Sequence, residues 1–361
     1  PSTDKENGWR QWLSHNTESL CSMIRSNDSP DATEKNGNGS NDNGKPIRAI
    51  FSDYDGTLCS ANAARDMSLG QNRIPLEVKK ALQEISEQIP VCIISSKDYF
   101  FLKETRAFAK VLSCMMGIET LTFTGNTSSA EEEHQSIPPI RRRLLWKEKK
   151  EADIFAQSNA IEQIAERIET EPDFGNIIVE RKYTYDKRIL SGITVDWRHS
   201  NDWDHYKRIV RHYISALITN LSHQPMPMHF YLHKYEFHPF VDVYVTECNK
   251  GIAFDLTLSE IASTTTAIVN DSREQNKDNK NNSSNNNGIR SIRAEDVLYL
   301  GDSENDNPAF RRAGMSLGVH SDSRIIPKLD CQHTINFDRL DRFLQKLKDN
   351  HFMFNKKTLV S

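Results

Sequence analysis

The chain has 361 residues, of which 37% are hydrophobic and 27% charged, with a formal net charge of −4 at pH 7. That length allows a substantial core and more than one domain or subdomain, and the balanced charge gives no reason to expect nucleic acid as a partner. No apolar run is long enough to span a bilayer, the polar N-terminal stretch has no signal-peptide core, and the six scattered cysteines lack CxxC spacing, which argues against a zinc site or disulfide framework and fits a reducing cytoplasm.

Residues 1–25 contain an amphipathic segment. Trp9, Trp12, Leu13, Leu20 and Ile24 lie along one stripe of a helix, a surface suited to the body of the protein or to a protein partner. Residues 26–46 are rich in Asn, Asp, Ser and Gly and read as a linker. Arg48–Ser52 is a short apolar run suited to a buried strand. Leu76–Ile89 has helical periodicity in Val78, Leu82, Ile85 and Ile89. Pro90–Ile94 is a second buried strand, and Tyr99–Leu112 reads as another helix. Strands alternating with helices imply parallel βαβ units, with chemistry at the carboxyl ends of the strands.

The texture then changes. The basic run Arg141, Arg142, Arg143, Lys147, Lys149, Lys150 reads as a solvated helix face. Ala152–Ile168 is helical. Asn176–Lys182 and Gly192–Trp197 read as antiparallel strands around a turn, Trp203–Leu221 as a helix, and Met228–His233 and Val241–Thr246 as two more strands. This is an α+β unit, residues 126–246, inserted into a parallel α/β core of residues 47–125 and 247–350. Within the second core segment the Asn-rich stretch around 268–290, densest from Asn270 to Gly288, reads as an unstructured insertion. Val297–Leu300 is a strand that runs into Gly301–Asp302.

The chemistry gathers at strand ends. In F-S-D-Y-D-G-T-L, Asp53 and Asp55 are two residues apart, and Gly56 lets the backbone turn sharply. Paired carboxylates repel, so a cation is expected beside them, and magnesium suits hard oxygen ligands and phosphate. One aspartate held there can attack phosphorus, and the other can move the protons. An acidic turn is the plain alternative. An EF-hand is not, because Thr57, Leu58, Cys59 and Ser60 lack its ligands. In G-D-S-E-N-D, Asp302 directly follows a strand and can reach the same ion. Asp306 lies one turn later, and an ordinary helix N-terminus would account for Ser303 and Glu304. Ser95 can donate to a phosphate oxygen or cap the helix after it. Lys250 can neutralise a transferring phosphoryl group or be a surface lysine before a turn.

D-x-D-G-T, a strand-ending Ser, a Lys, then G-D-x-x-x-D resembles the haloacid dehalogenase superfamily of phosphotransferases, over roughly Arg48–Leu347. The resemblance implies a Rossmann-like parallel sheet with an inserted α+β cap. It makes Asp53 the nucleophile and Asp55 the general acid/base. Ser95, Ser96 and Lys250 would bind phosphate. Asp53, the Asp55 carbonyl and Asp302 would bind Mg2+, and Asp306 would orient the metal shell or pair with Lys250. Within the superfamily the chain is most similar to trehalose-6-phosphate phosphatases, whose cap carries a Glu-x-Lys strand and a strand ending His-Tyr-Arg. Here these are Glu180-Arg181-Lys182 and Asp196-Trp197-Arg198, so Glu180, Lys182 and Arg198 would face the sugar. A surface charge pattern is the other account of Glu180 and Lys182. Ser96-Lys97 stands where that family has Gly-Arg, and G-D-S-E-N-D where it has Gly-Asp-Asp-x-Thr-Asp. The expected activity is hydrolysis of a small-molecule sugar phosphate, trehalose 6-phosphate first. Sucrose 6-phosphate, a glycosyl-3-phosphoglycerate or another hexose phosphate are neighbouring substrates. A phosphomutase or a non-catalytic sugar-phosphate sensor are the other readings.

Overall fold

The computed structural model describes residues 44–60, 74–123, 138–146, 150–222, 228–275, 291–320 and 328–359. The expected N-terminal helix and most of the linker lie outside them. Gly44–Ser361 forms one compact unit.

Its centre is an eight-stranded sheet. The strands are β2 (Ala49–Ser52), β3 (Val91–Ile94), β4 (Ala109–Cys114), β5 (Glu119–Thr122), β6 (Arg141–Leu144), β11 (Val297–Gly301), β12 (Met315–His320) and β13 (His333–Asn336). Their spatial order is β13-β12-β11-β2-β3-β4-β5-β6. The first six in that order run parallel, and β5 and β6 turn back antiparallel. A separate short pair, β1 (Lys45–Pro46) with β14 (Met353–Phe354), ties the two ends of the unit together.

The parallel strands are short and buried along their length, as strands covered on both faces must be. Period-two alternation sends their side chains to two different cores. Ile50, Ile93, Leu298 and Leu300 meet Val78, Leu82 and Ile85 of α1 (Leu76–Ser86) on one face, with Phe343, Leu344 and Leu347 of the later helix Leu340–Asp349. Ala49, Phe51, Cys92, Ile94 and Tyr299 meet Ala253, Phe254 and Ile261 of the helix Lys250–Gln275 on the other. Phe51 and Phe254 touch edge to face at 5.0 Å between ring centres. Each fully buried side chain of this size contributes about 1.5–3 kcal/mol.

The chain builds outward from β2 to β3 and β4, then returns to place β11 on the other side of β2. The β2/β11 junction is therefore the topological switch point, where an open α/β sheet leaves a crevice at its carboxyl edge.

A four-stranded antiparallel sheet is inserted between β6 and the helix Lys250–Gln275. It contains β7 (Ile178–Tyr183), β8 (Leu190–Asp196), β9 (Tyr231–Lys234) and β10 (Phe240–Tyr244), in the order β7-β8-β10-β9. Ile193, Val195, Val241 and Val243 point to one face, against Ile161, Ile164 and Ile168 of the helix Glu151–Glu169 and Val210 and Ile214 of the helix Trp203–Ser222. Glu180, Lys182, Thr194, Asp196, His233, Asp242 and Tyr244 occupy the other, as register and alternation require. One face is greasy and covered by helices, and the other is polar.

Three sequence expectations need correction. Tyr99–Leu112 is a single helical turn (Tyr99–Leu102), a 3-10 segment (Lys103–Ala107) and then strand β4, whose Val111 and Leu112 are needed beside β3. Of the basic run, Arg141, Arg142 and Arg143 lie in the edge strand β6 of the large sheet and not on a helix, while Lys147 and Lys149 lie outside the described residues. The strand's guanidinium groups are spent on Glu119, Asp186 and Glu260. The helix that begins at Lys250 continues to Gln275, past Asn270, and residues 276–290 lie outside those described. Four cysteines, Cys59, Cys92, Cys114 and Cys248, are free and buried. Among the described residues no helix is long and apolar enough to cross a membrane.

Candidate active site

The carboxyl ends of β2 and β11 bring Asp53 and Asp302 together. Asp53 N donates to Leu300 O at 2.9 Å, so the parallel ladder extends through the first residue of the turn. Gly56 then takes φ +77°, and a side chain there would bring a Cβ to 1.9 Å from Asp302 Oδ2. Only glycine lets the loop after Asp55 pass this close to the second aspartate. Thr57 Oγ1 donates to Asp302 Oδ1 at 3.4 Å.

Lys250 stands at the start of its helix, with its ammonium between two carboxylates. It lies 2.9 Å from Asp53 Oδ2 and 2.7 Å from Asp306 Oδ1, and all three residues are buried. Asp306 is fully engaged. Its Oδ1 also accepts from Tyr299 Oη at 2.7 Å, and its Oδ2 accepts from the backbone N of Asp302 and Ser303 and from Ser303 Oγ. A Cβ on Gly301 would sit 2.4 Å from Asp306 Cγ, so glycine is required here by close approach.

Asp53, Asp302 and Asp306 each offer an oxygen within 4.8 Å of the others. Burial, opposed by Lys250 and reinforced by Asp306 and Asp55, pushes the Asp53 carboxyl up to about 7. Burial with the Asp53 and Asp306 charges raises Asp302 well above the carboxylate range. A buried Asp53 and a half-buried Asp302 that resist ionising together are what a hard divalent cation would stabilise. The oxygen donors of Asp53 and Asp302 fit such an ion. Asp306 does not, because its oxygens are committed to Lys250, Tyr299 and the loop it braces.

Asp55 lies on the rim, its carboxylate 4.0 Å from Lys97 Nζ and 3.9 Å from the Cys59 thiol, which donates to it. Ser95 is buried at the end of β3. Its backbone N donates to Ser113 O at 3.0 Å, and its hydroxyl accepts from Lys97 N at 3.3 Å. It does not cap the following helix. Asp98 does, accepting from Phe101 N at 3.1 Å. Ser96 O accepts from Tyr244 Oη of the small sheet at 3.4 Å.

The polar face of the small sheet meets this edge. Glu180 Oε2 accepts from Lys97 Nζ at 2.7 Å. Burial works against the charge on both groups, yet their attraction keeps the Glu180 carboxyl low and the Lys97 ammonium high. Lys97 thus stands between Asp55 and Glu180, a position that sequence reading noticed only as a departure from Arg. Arg198 pairs with Asp196 through Nε and its backbone N, and its guanidinium lies 5.9 Å from the Phe240 ring centre. Lys182 is placed differently from the expectation that it meets a sugar hydroxyl. It is 1% exposed, and its ammonium donates to Asp242 Oδ1 at 2.8 Å and Tyr244 Oη at 3.1 Å. Asp242 also accepts from Thr194 and from Tyr235 Oη. Although burial would raise it, these partners hold its carboxyl below the usual range. Lys182 forms the floor beneath Glu180.

No family model and no curated protein matches the chain. Solved structures do. A trehalose-6-phosphate phosphatase related protein superposes with a TM-score of 0.51 at 13% identity, over 84% of this chain and 98% of that one. The C-terminal domain of the C. albicans trehalose-6-phosphate phosphatase superposes with a TM-score of 0.53 at 14% identity, over 84% and 93%. The chain shares the fold of these two proteins. At this identity the likeness speaks for architecture, including the inserted α+β unit, and the chemistry rests on the residues above.

Removing Lys182 should therefore act on stability first. Lys182→Met is expected to lower the unfolding free energy by about 3–5 kcal/mol, because it leaves Asp242 charged and buried. Urea denaturation measures this, and a loss below about 1 kcal/mol would show the pair to be dispensable.

Proposed function

We propose that the protein is a magnesium-dependent phosphatase that removes phosphate from a sugar phosphate through an aspartyl-phosphate on Asp53. The observation that carries this reading is the Lys250 ammonium, 2.9 Å from Asp53 and 2.7 Å from Asp306, beside Asp302 at the sheet's switch point. A buried lysine beside a buried strand-end carboxylate supplies positive charge where a phosphoryl group would gather negative charge.

Asp53 and Asp302 would hold the magnesium ion, with the Asp55 carbonyl, and the ion supplies charge neutralisation for the phosphate when bound. The residues perform the rest. Asp53 attacks phosphorus and the bond to the sugar oxygen breaks. Asp55, in its acid form, gives that oxygen its proton. The Asp55 carboxylate then takes a proton from water, whose oxygen attacks the acyl phosphate. The bond from phosphorus to Asp53 breaks, and inorganic phosphate leaves. Lys250 and the Ser95 hydroxyl would steady the phosphoryl oxygens, as would the Ser96 end of the same loop. Asp306 keeps Lys250 aimed at Asp53.

The polar face of the inserted sheet supports a hydroxyl-rich leaving group. Glu180 and Arg198 are partly exposed there, at 36% and 20% of their side chains. Trehalose 6-phosphate is the first candidate, because Glu180 stands partly exposed on the polar face and the fold is shared with trehalose-6-phosphate phosphatases.

The test is phosphate release from trehalose 6-phosphate, sucrose 6-phosphate, glucose 6-phosphate and the mannosyl- and glucosyl-3-phosphoglycerates, with magnesium or with EDTA. A strong, EDTA-sensitive preference for one sugar ester, abolished by Asp53→Asn in a folded protein, is the expected result. Turnover retained in Asp53→Asn would refute the mechanism. Glu180→Ala should raise KM for the preferred sugar phosphate more than for p-nitrophenyl phosphate. Equal effects on both esters would remove Glu180 from the sugar site.

A further inference from the structure

Strand β7 is an open edge of the small sheet, paired with β8 on one side only. The N–H groups on its free side need acceptors wherever they are withdrawn from water. Two core carboxylates supply them. Asp98 Oδ2 accepts from Tyr183 N at 3.2 Å, and Glu119 Oε2 accepts from Tyr185 N at 2.8 Å. Thr184, between them, turns its N–H inward to Ile189 O at 3.0 Å. The end of β7 at Tyr183 and the turn residue Tyr185 beyond it are thus each met by a carboxylate, from two different core segments.

Both carboxylates are withdrawn from solvent, Asp98 at 9% and Glu119 at 0% exposure. Each keeps its other oxygen on the core. Asp98 Oδ1 caps the helix Tyr99–Leu102, one residue after the Ser95-Ser96-Lys97 loop. Glu119 Oε1 accepts from Arg142 Nε at 2.7 Å, and Arg142 continues to Asp186 of the same hairpin at 2.9 Å. The Tyr185 ring packs edge-on against Tyr99, with centres 4.8 Å apart. Hydrogen bonds to ionised acceptors are the stronger class, and buried ones lose least to water.

We propose that Asp98 and Glu119 are positioning residues, two core carboxylates that grip the end of β7 and the turn after it and thereby fix where Glu180 stands over the Asp53–Asp55 turn. The proposal rests on the phosphatase reading above. Glu180 lies three residues before Tyr183 on one strand, about 10 Å away at strand rise, so a shift at the grip is carried to the carboxylate that meets Lys97.

Isosteric amides separate this role from helix capping and from the Arg142 pair. Asp98→Asn keeps one oxygen for Phe101 N and turns an NH2 group toward Tyr183 N, and Glu119→Gln does the same between Arg142 and Tyr185 N. Asp98→Asn is expected to raise KM for the preferred sugar phosphate about tenfold, the loss of one charge-assisted hydrogen bond, while turnover of p-nitrophenyl phosphate is retained. Adding Glu180→Ala to Asp98→Asn should raise KM no further, because the two act through one contact. Equal KM effects on both esters, or fully additive effects in the double variant, would overturn the positioning role.

Amide hydrogen exchange over residues 183–189 tests the grip without any turnover. Faster exchange there in Asp98→Asn and Glu119→Gln, beyond any change in the distant strand β12, is expected. Unchanged exchange in both would refute the grip even if phosphatase activity is established. Should the wild type hydrolyse none of the esters, the phosphatase reading fails and the exchange result still decides the contact.

Discussion

The Lys250 ammonium, held between Asp53 and Asp306, is the interaction on which the rest of the structure depends. A buried cation of this kind is tolerable only with close, well-directed partners. Those partners come from opposite sides of the switch point. Asp53 ends β2, Asp306 closes the loop after β11, and Lys250 begins the helix that packs across both. The sheet order, the left-handed Gly56 and the close approach at Gly301 all serve to bring these three groups together. Tyr299 and the Ser303 loop complete the coordination of Asp306, so Lys250 has one direction left in which to act. That direction is toward Asp53.

The inserted unit solves a different problem with the same element of construction. Its sheet has one apolar face for its two helices and one polar face for the core edge. The polar face divides by burial. Lys182, Asp242, Tyr244, Tyr235 and Thr194 satisfy one another and form a buried floor. Glu180 and Arg198 stand nearer solvent above it. A partly exposed carboxylate on a fully satisfied floor is held in place without being used up, which is the condition for a recognition group. Lys97 joins this layer to Asp55, so the two halves of the site share a charge.

Much of this was legible in the sequence where the signal is local. Asp53, Asp55 and Asp302 end apolar strands beside glycine, and an apolar strand running into Asp-x-Asp-Gly has few structural uses. The inserted unit showed itself as a block of helices and antiparallel strands set between the parts that alternate strand with helix. What stayed hidden depends on partners distant in the chain. Lys182 reads like Glu180 two residues earlier, and only Asp242, opposite Thr194 in the neighbouring strands, decides that one is buried and the other is not. Tyr99–Leu112 contains apolar spacings compatible with a helix, and its second half became a strand because β3 needed a parallel neighbour. The arginines at 141–143 read as a helix face, and they form an edge strand because β5 offers a free side; Arg141 and Arg143 stay exposed while pairing with Glu260. Asp98 could have been found as a helix cap, yet its hold on Tyr183 N has no sequence signature at all.

The central claim is that Asp53 carries the phosphoryl group. The most direct measurement is to quench the protein with sodium borohydride during turnover of its sugar phosphate and to map the reduced residue by mass spectrometry. The account predicts homoserine at position 53, formed by reduction of the acyl phosphate, and none there without substrate. Turnover at full rate with Asp53 unmodified, or reduction at a different carboxylate, would contradict it.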